Sequence, residues 1–224
     1  MIQEELFRAE ETEDRRAGDL ERILERLGDI SPDARDDAVN ALLSEQLPEA
    51  VVRRFAAKVL NAAETAGAET ENGRRAAEKA RTDRLDSDTG KIQAAAYKTL
   101  REFDRLRGLL RFKPEAEGRY TARCAPDHFV LPLLADHFSA RFADVPWAVI
   151  DEKRRLVLRG GKGGTEIAAV DSESTGGTPA PALDSWEALW RTFHRAVNNE
   201  DRNNPALQRQ FIPGRYRKYL TEFF

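Results

Sequence analysis

In the first half of the chain, apolar residues recur at three- and four-residue steps, the spacing of helices that each bury one stripe. Leu20, Ile23, Leu24 and Leu27 make the first stripe, with Gly28 read as its stop. Ser31-Pro32 opens a second helix, serine as N-cap and proline at the first helical position, with Ala38, Ala41, Leu42 and Leu47 turned inward. A third starts near Pro48 and carries Val51, Val52, Phe55, Val59 and Leu60. From Thr65 to Gly90 large apolar residues almost vanish, so this stretch reads as a mobile loop or an exposed, partly helical linker. Ile92 to Arg107 is a further amphipathic helix, with Ala96, Leu100, Phe103 and Leu106 as its inner face and Gly108 ending it.

Beyond Gly108 the period shortens to that of strands. Leu109–Lys113 and Tyr120–Cys124 form a hairpin around a turn at Pro114–Gly118. Leu131-Pro132 begins a helix that runs through Phe142. Trp147–Ile150 and Arg155–Arg159 form a second hairpin, and Thr165–Val170 is a last strand after the glycine-rich tip 160–164. Residues 171–181 read as loop. Leu183–Asn198 is a helix whose Trp186, Leu189, Trp190, Phe193 and Val197 are expected to dock on the sheet, and short helices follow from Pro205 and Pro213. The fold class is therefore α+β: a helical region over 1–64, a linker or mobile loop over 65–90, and an α+β domain over 91–224. That domain is a ββαβββ antiparallel or mixed sheet packed by C-terminal helices.

Composition narrows the function classes. At 224 residues, with 41% hydrophobic and 33% charged residues, the chain buries a real core beneath a heavily ionised surface. Its net charge of −3 means that any polyanion binding has to come from a local patch. Such patches exist, because residues 98–124 and 191–224 are rich in arginine and lysine while the first fifty are acidic. One cysteine, Cys124, excludes an internal disulfide and a multi-cysteine metal site, and no cofactor or metal is expected. Without a membrane-length apolar run or a signal sequence, the reading is a cytoplasmic protein with no membrane partner.

The last stretch is the most informative. Arg202, Arg209, Arg215 and Lys218 suit phosphates, while Asn203, Asn204, Gln208 and Tyr216 suit sugar and base. Arg111 and Arg119, on the first hairpin, would extend that surface if the two basic segments converge. The alternative is a helical hairpin whose aromatics are core and whose arginines are solvated. Asp127-His128, ahead of a helix start, pairs a carboxylate with an imidazole and is an acid–base candidate, with a turn role as its rival. His137 is read as a half-buried helix histidine or a ligand contact. Glu102 and Asp104 are read as local ion-pair partners of neighbouring arginines, and Asp151 and Glu152 as turn-formers. Gly160–Gly164 lacks the Gly-Lys-Ser/Thr ending and the following helix of a phosphate loop.

Four segments together carry a family resemblance: Gly108-Leu-Leu-Arg-Phe112, the run from Pro126 to Phe142, Trp147-Ala-Val-Ile-Asp151, and the run from Asn204 to Phe223. On these the chain resembles a bacterial family described only as a probable DNA metabolism protein. The resemblance implies a partner of the radical-SAM class acting in DNA modification or repair. It also implies relatives in which the domain is fused ahead of a uracil-DNA glycosylase-like domain, which is not expected within these residues. A typical family sequence has histidine where Asp104 stands, and the family's opening strand and helix are not recognisable ahead of Glu4. The leading expectation is an accessory protein that binds DNA, single-stranded or duplex, or RNA. Its rivals are a protein-interaction module that docks such an enzyme without contacting DNA, and a glycosylase-like enzyme using Asp127 and His128.

Overall fold

The computed structural model describes residues 18–115, 118–170, 183–197, 199 and 204–221. The chain divides into two compact units, residues 1–100 and 101–224.

The described part of the first unit is helical. Residues 18–30 form α1, followed by α2 (Pro32–Leu42), α3 (Glu49–Thr65), α4 (Glu71–Arg81) and the first turns of α5 (Ser87–Leu109). Ser31 caps α2 as expected, its hydroxyl accepting from the Ala34 amide at 3.3 Å. Gly28 is not a stop, because the helix continues to residue 30. The core gathers Leu27, Val52, Phe55, Val59 and Ile92 with many alanines.

The largest difference from expectation lies over 65–90, which is mostly helix rather than linker or mobile loop. Helix α4 packs on α3 with Ala77 and Ala80 buried, and Gly73 lies against the backbone of Gly67 and Ala68; all three are too small to register as an apolar stripe. Its start is built by Thr70, whose hydroxyl donates to the Gly67 carbonyl at 2.6 Å and accepts from the Gly73 amide at 3.1 Å. The connection into α5 is fastened by charge. Lys58 lies 2.9 Å from Asp83 and 3.5 Å from Asp86, and Arg54 meets Asp88 at 2.6 Å. Asp86 in turn accepts from the Thr89 amide at 2.8 Å.

The second unit holds the last turns of α5, then β1 (Lys113–Pro114), β2 (Tyr120–Cys124), α6 (Leu131–Phe142), β3 (Trp147–Asp151), β4 (Leu156–Gly161) and β5 (Gly164–Ala169). Three helices follow, here α7 (Leu183–Val197), α8 (Pro205–Phe211) and α9 (Gly214–Arg217). The five strands lie in sequence order in one mixed sheet. Every neighbouring pair is antiparallel except β2–β3, which is parallel because α6 carries the chain back between them. The α+β class holds, with β1 shorter than expected.

Strand β3 is buried along its whole length, so both faces of the sheet are covered there. Trp147 and Val149 join Leu131, Leu134 and Phe138 of α6, while Ala148 and Ile150 join Val157 in a smaller cluster. Trp147 pairs directly with Gly160, where an added Cβ would lie 2.3 Å from the indole. The glycine-rich tip is thus, at this position, a slot for a ring. Helix α7 departs from expectation: Leu189 is 58% exposed and Val197 60%, with Phe193 similarly open, so this face of the stripe is not docked on the sheet. The Trp186 side chain and the loop expected over 171–181 lie outside the described residues.

Candidate functional site

Two constellations in the second unit stand out, and the first is built around a buried carboxylate. Glu102, on α5, is 2% exposed. It is not a surface ion-pair partner, although its neighbour Asp104 is, pairing with Arg107 at 2.5 Å. Four donors converge on Glu102. The Asp127 and His128 amides reach it at 3.0 and 2.7 Å, the Arg215 guanidinium at 3.0 Å, and the Tyr216 hydroxyl completes the set. Burial pushes the Glu102 carboxyl up. The Tyr216 hydroxyl, the two amides and Arg215 outweigh it and hold the group below the usual carboxylate range. Tyr216 is held protonated far above its ordinary value by burial and by the adjoining carboxylate.

Arg215 also meets the Asp127 carboxylate at 2.8 Å. The backbone of the Asp127 loop is fixed from the other side, since Lys153 and Arg154 donate to the Asp127 carbonyl at 3.1 and 3.0 Å. Arg154 is itself anchored by fully buried Asp151 at 2.8 Å. Asp151 accepts from the Lys153 and Arg154 amides, the turn-forming role read from the sequence.

Three residues beyond the Arg215–Tyr216 pair the arrangement repeats. Lys218 and Tyr219 donate to Glu152 at 3.1 and 2.6 Å, and Arg123 stands 3.8 Å from the same carboxylate. Burial and then the Glu152 contact push the Tyr219 hydroxyl up to about 12. The Arg-Tyr-Arg-Lys-Tyr run is therefore two cation–tyrosine pairs, each closed on one glutamate.

The second constellation is a cleft of about 590 Å³. Arg111 and Lys113 before β2, Tyr120 at its start, and Arg141 and Phe142 at the end of α6 line it, together with Phe112 and Trp190 of α7. No carboxylate is among its described lining residues. Phe112 and Phe142 pack with ring centroids 4.7 Å apart, and Tyr120 lies 5.7 Å from Phe142. Tyr120 is 37% and Trp190 41% exposed, so both rings keep open surface.

The remaining candidate residues are dispersed. Arg111 lines the cleft and donates to the Gly108 carbonyl at 2.8 Å. Arg119 pairs with Glu115 at 2.5 Å. Asn204 caps α8, accepting from the Leu207 amide at 3.0 Å, and Gln208 is exposed on that helix. Arg209 belongs to α8, but its side chain is not described, and Arg202 and Asn203 lie outside the described residues. His128 is buried. His137 has a buried Nε2 without a hydrogen-bond partner, and burial followed by Arg107 and Arg141 lowers its affinity for a proton. Cys124 is buried, its thiol pushed well above the ordinary range by burial and then by Asp151.

Sequence reasoning missed Glu102 and four of the cleft residues, Tyr120, Arg141, Phe142 and Trp190. The one available signal was a glutamate at a position where the helix stripe calls for burial. Among the described residues no group of His, Cys, Asp and Glu is placed to hold a metal ion, and no helix is long and apolar enough to cross a membrane.

The fold and these sites define an α+β protein whose C-terminal segment is tied to α5 by the buried Glu102 and to the turn after β3 by the exposed Glu152. The chain belongs to the family described as Domain of unknown function (DUF4130), whose model matches residues 62–222. No curated protein and no solved structure shows a significant match.

Proposed function

We propose that this protein is a nucleic-acid-binding accessory factor in DNA repair or modification, acting beside a radical-SAM or glycosylase-like enzyme. The observation that carries the binding part is the cleft, where Arg111, Lys113 and Arg141 share a wall with Phe112, Tyr120, Phe142 and Trp190. Guanidinium and ammonium groups complement phosphate, and aromatic faces complement bases. The family resemblance carried by the motifs between Gly108 and Phe223 supports the DNA-metabolism context and the class of partner.

This reading moves the binding surface away from the C-terminal cations. Arg215 and Lys218 already meet Glu102, Asp127 and Glu152, and a phosphate would have to displace those carboxylates. The acid–base alternative has less support, because Asp127 is paired with Arg215 and His128 is buried.

The test is fluorescence anisotropy with labelled DNA on the native chain and on Arg111→Glu, Lys113→Glu and Arg141→Glu. Micromolar or tighter binding lost on charge reversal is expected. No binding, or binding indifferent to all three changes, would overturn the proposal.

A second reading, a docking module for the same enzyme, draws on the exposed Leu189, Phe193 and Val197 of α7. Under it the chain docks the enzyme without contacting DNA, so no DNA probe binds the native chain and Leu189→Asp with Val197→Asp abolishes co-purification of the radical-SAM partner.

A further inference from the structure

We infer that the ligand of the cleft is an unpaired nucleotide within a single strand, with its base stacked on Tyr120 or Trp190 and its flanking phosphates held by Arg111, Lys113 and Arg141. The inference rests on the nucleic-acid reading above and adds to it the form of the substrate.

The argument begins with what a duplex offers. Paired bases present only their edges, and their faces are covered by neighbouring pairs, so a protein that reads duplex DNA needs polar side chains aimed into a groove. Beyond Arg111, Lys113 and Arg141, whose charges suit phosphates as well as base edges, this cleft offers little of that kind. Its uncharged lining is mostly apolar or aromatic (Leu110, Phe112, Pro114, Tyr120, Phe142 and Trp190, beside Gly108), with the Thr221 hydroxyl, the Tyr120 phenol and the Trp190 indole N–H as the polar side-chain groups. Ring faces of this sort gain from a base only once the base has left its own stack.

The rings are also organised for that use. Phe112 and Phe142 are half-buried with ring centroids 4.7 Å apart, and Phe112 also packs 4.8 Å from Phe138, which holds these rings in place. Tyr120 leans on Phe142 yet stays open, and Trp190 stays open from a different element. Locked rings lining the same cleft as accessible ones are what a stacking platform requires. The volume suits one or two nucleotides rather than a helical segment, since ligand clefts span about 300–1,000 Å³. The cationic groups come from β1, its approach and the end of α6, placing positive charge around the rings.

The experiment compares three labelled probes on the native chain at low salt: a dT oligomer of about ten nucleotides, an rU oligomer of the same length, and a blunt mixed-sequence duplex. Single strands are expected to bind at least tenfold more tightly than duplex, and the order of dT and rU then names the preferred sugar. Tyr120→Ala and Trp190→Ala should each weaken single-strand binding roughly five- to hundredfold. Trp190→Phe should retain binding while removing the ligand-induced quench of indole emission. Equal affinity for single strand and duplex, or single-strand binding that ignores both alanine changes, would overturn this inference and leave the broader nucleic-acid reading standing. No binding to any probe would remove both.

Discussion

Glu102 concentrates the energetics of the second unit in one side chain. An ionised carboxylate at this depth is tolerated because its oxygens are satisfied by two amides, a guanidinium and a phenol. Removing it leaves the Tyr216 hydroxyl and the Asp127 and His128 amides without their acceptor, while Arg215 keeps Asp127, so Glu102→Ala is expected to lower unfolding free energy by about 3–5 kcal/mol in urea titration. Tyr216→Phe, which deletes one charge-assisted hydrogen bond, is expected to cost about 1.5–3 kcal/mol. The pH dependence follows from the direction of each shift. The Glu102 carboxyl is held below its ordinary 4.5, so the unfolded chain takes the proton first. The stabilisation is complete above that value and is lost as pH falls through the lower, folded one. Tyr219 shifts the other way, from 10.0 to about 12, so its contribution is complete below 10.0 and fades as pH rises toward 12. Melting temperature against pH should therefore fall at both ends, with Glu102→Gln shrinking the acid limb. An acid limb unchanged in that variant would show that other carboxylates dominate it.

At the scale of elements, close approach explains what propensity does not. Gly73 lies so near the Gly67 carbonyl that a Cβ would sit 2.2 Å from its oxygen, and at Gly160 a Cβ would enter the Trp147 ring. Alanine at either position is expected to cost about 1–3 kcal/mol or more in thermal unfolding. Gly28 provides the contrast. The atoms nearest to a Cβ there belong to the flexible Arg35 side chain, at 2.7 Å, and the residue sits inside α1, so Gly28→Ala should be neutral or stabilise by up to about 1 kcal/mol. These cases also mark what the sequence could tell. The start of α2 at Ser31-Pro32 and the span of α6 were legible because caps and helix periods are written within a few residues. Helix α4 was not, because Ala77 and Ala80 pack by being small and the segment is fastened by salt bridges to Arg54 and Lys58. The apolar face of α7 read as core from its spacing alone, yet Leu189, Phe193 and Val197 lie open. Periodicity reports that a stripe exists, not whether anything covers it.

For the molecule as a whole, a net charge of −3 makes diffuse attraction to polyanions weak, so binding should depend on the cleft alone. With three cationic side chains there, log affinity for a single strand should fall against log salt with a slope of about 2, measured by anisotropy over a salt series. A much steeper slope would place further cations at the interface. The candidate site itself was only partly legible. Arg111 stood out from the sequence, but Tyr120, Arg141, Phe142 and Trp190 become neighbours only once the sheet, α6 and α7 are assembled. Glu102 shares this property, its partners lying 25 to 114 positions away along the chain. That distance has a practical corollary. A chain clipped before Gly214 would leave an ionised oxygen pair in the interior with only amides for company, so damage at the tail would be felt at the centre of the unit. Tail-nicked material should then surface as insoluble or rapidly degraded protein, rather than as a slightly shorter but healthy molecule.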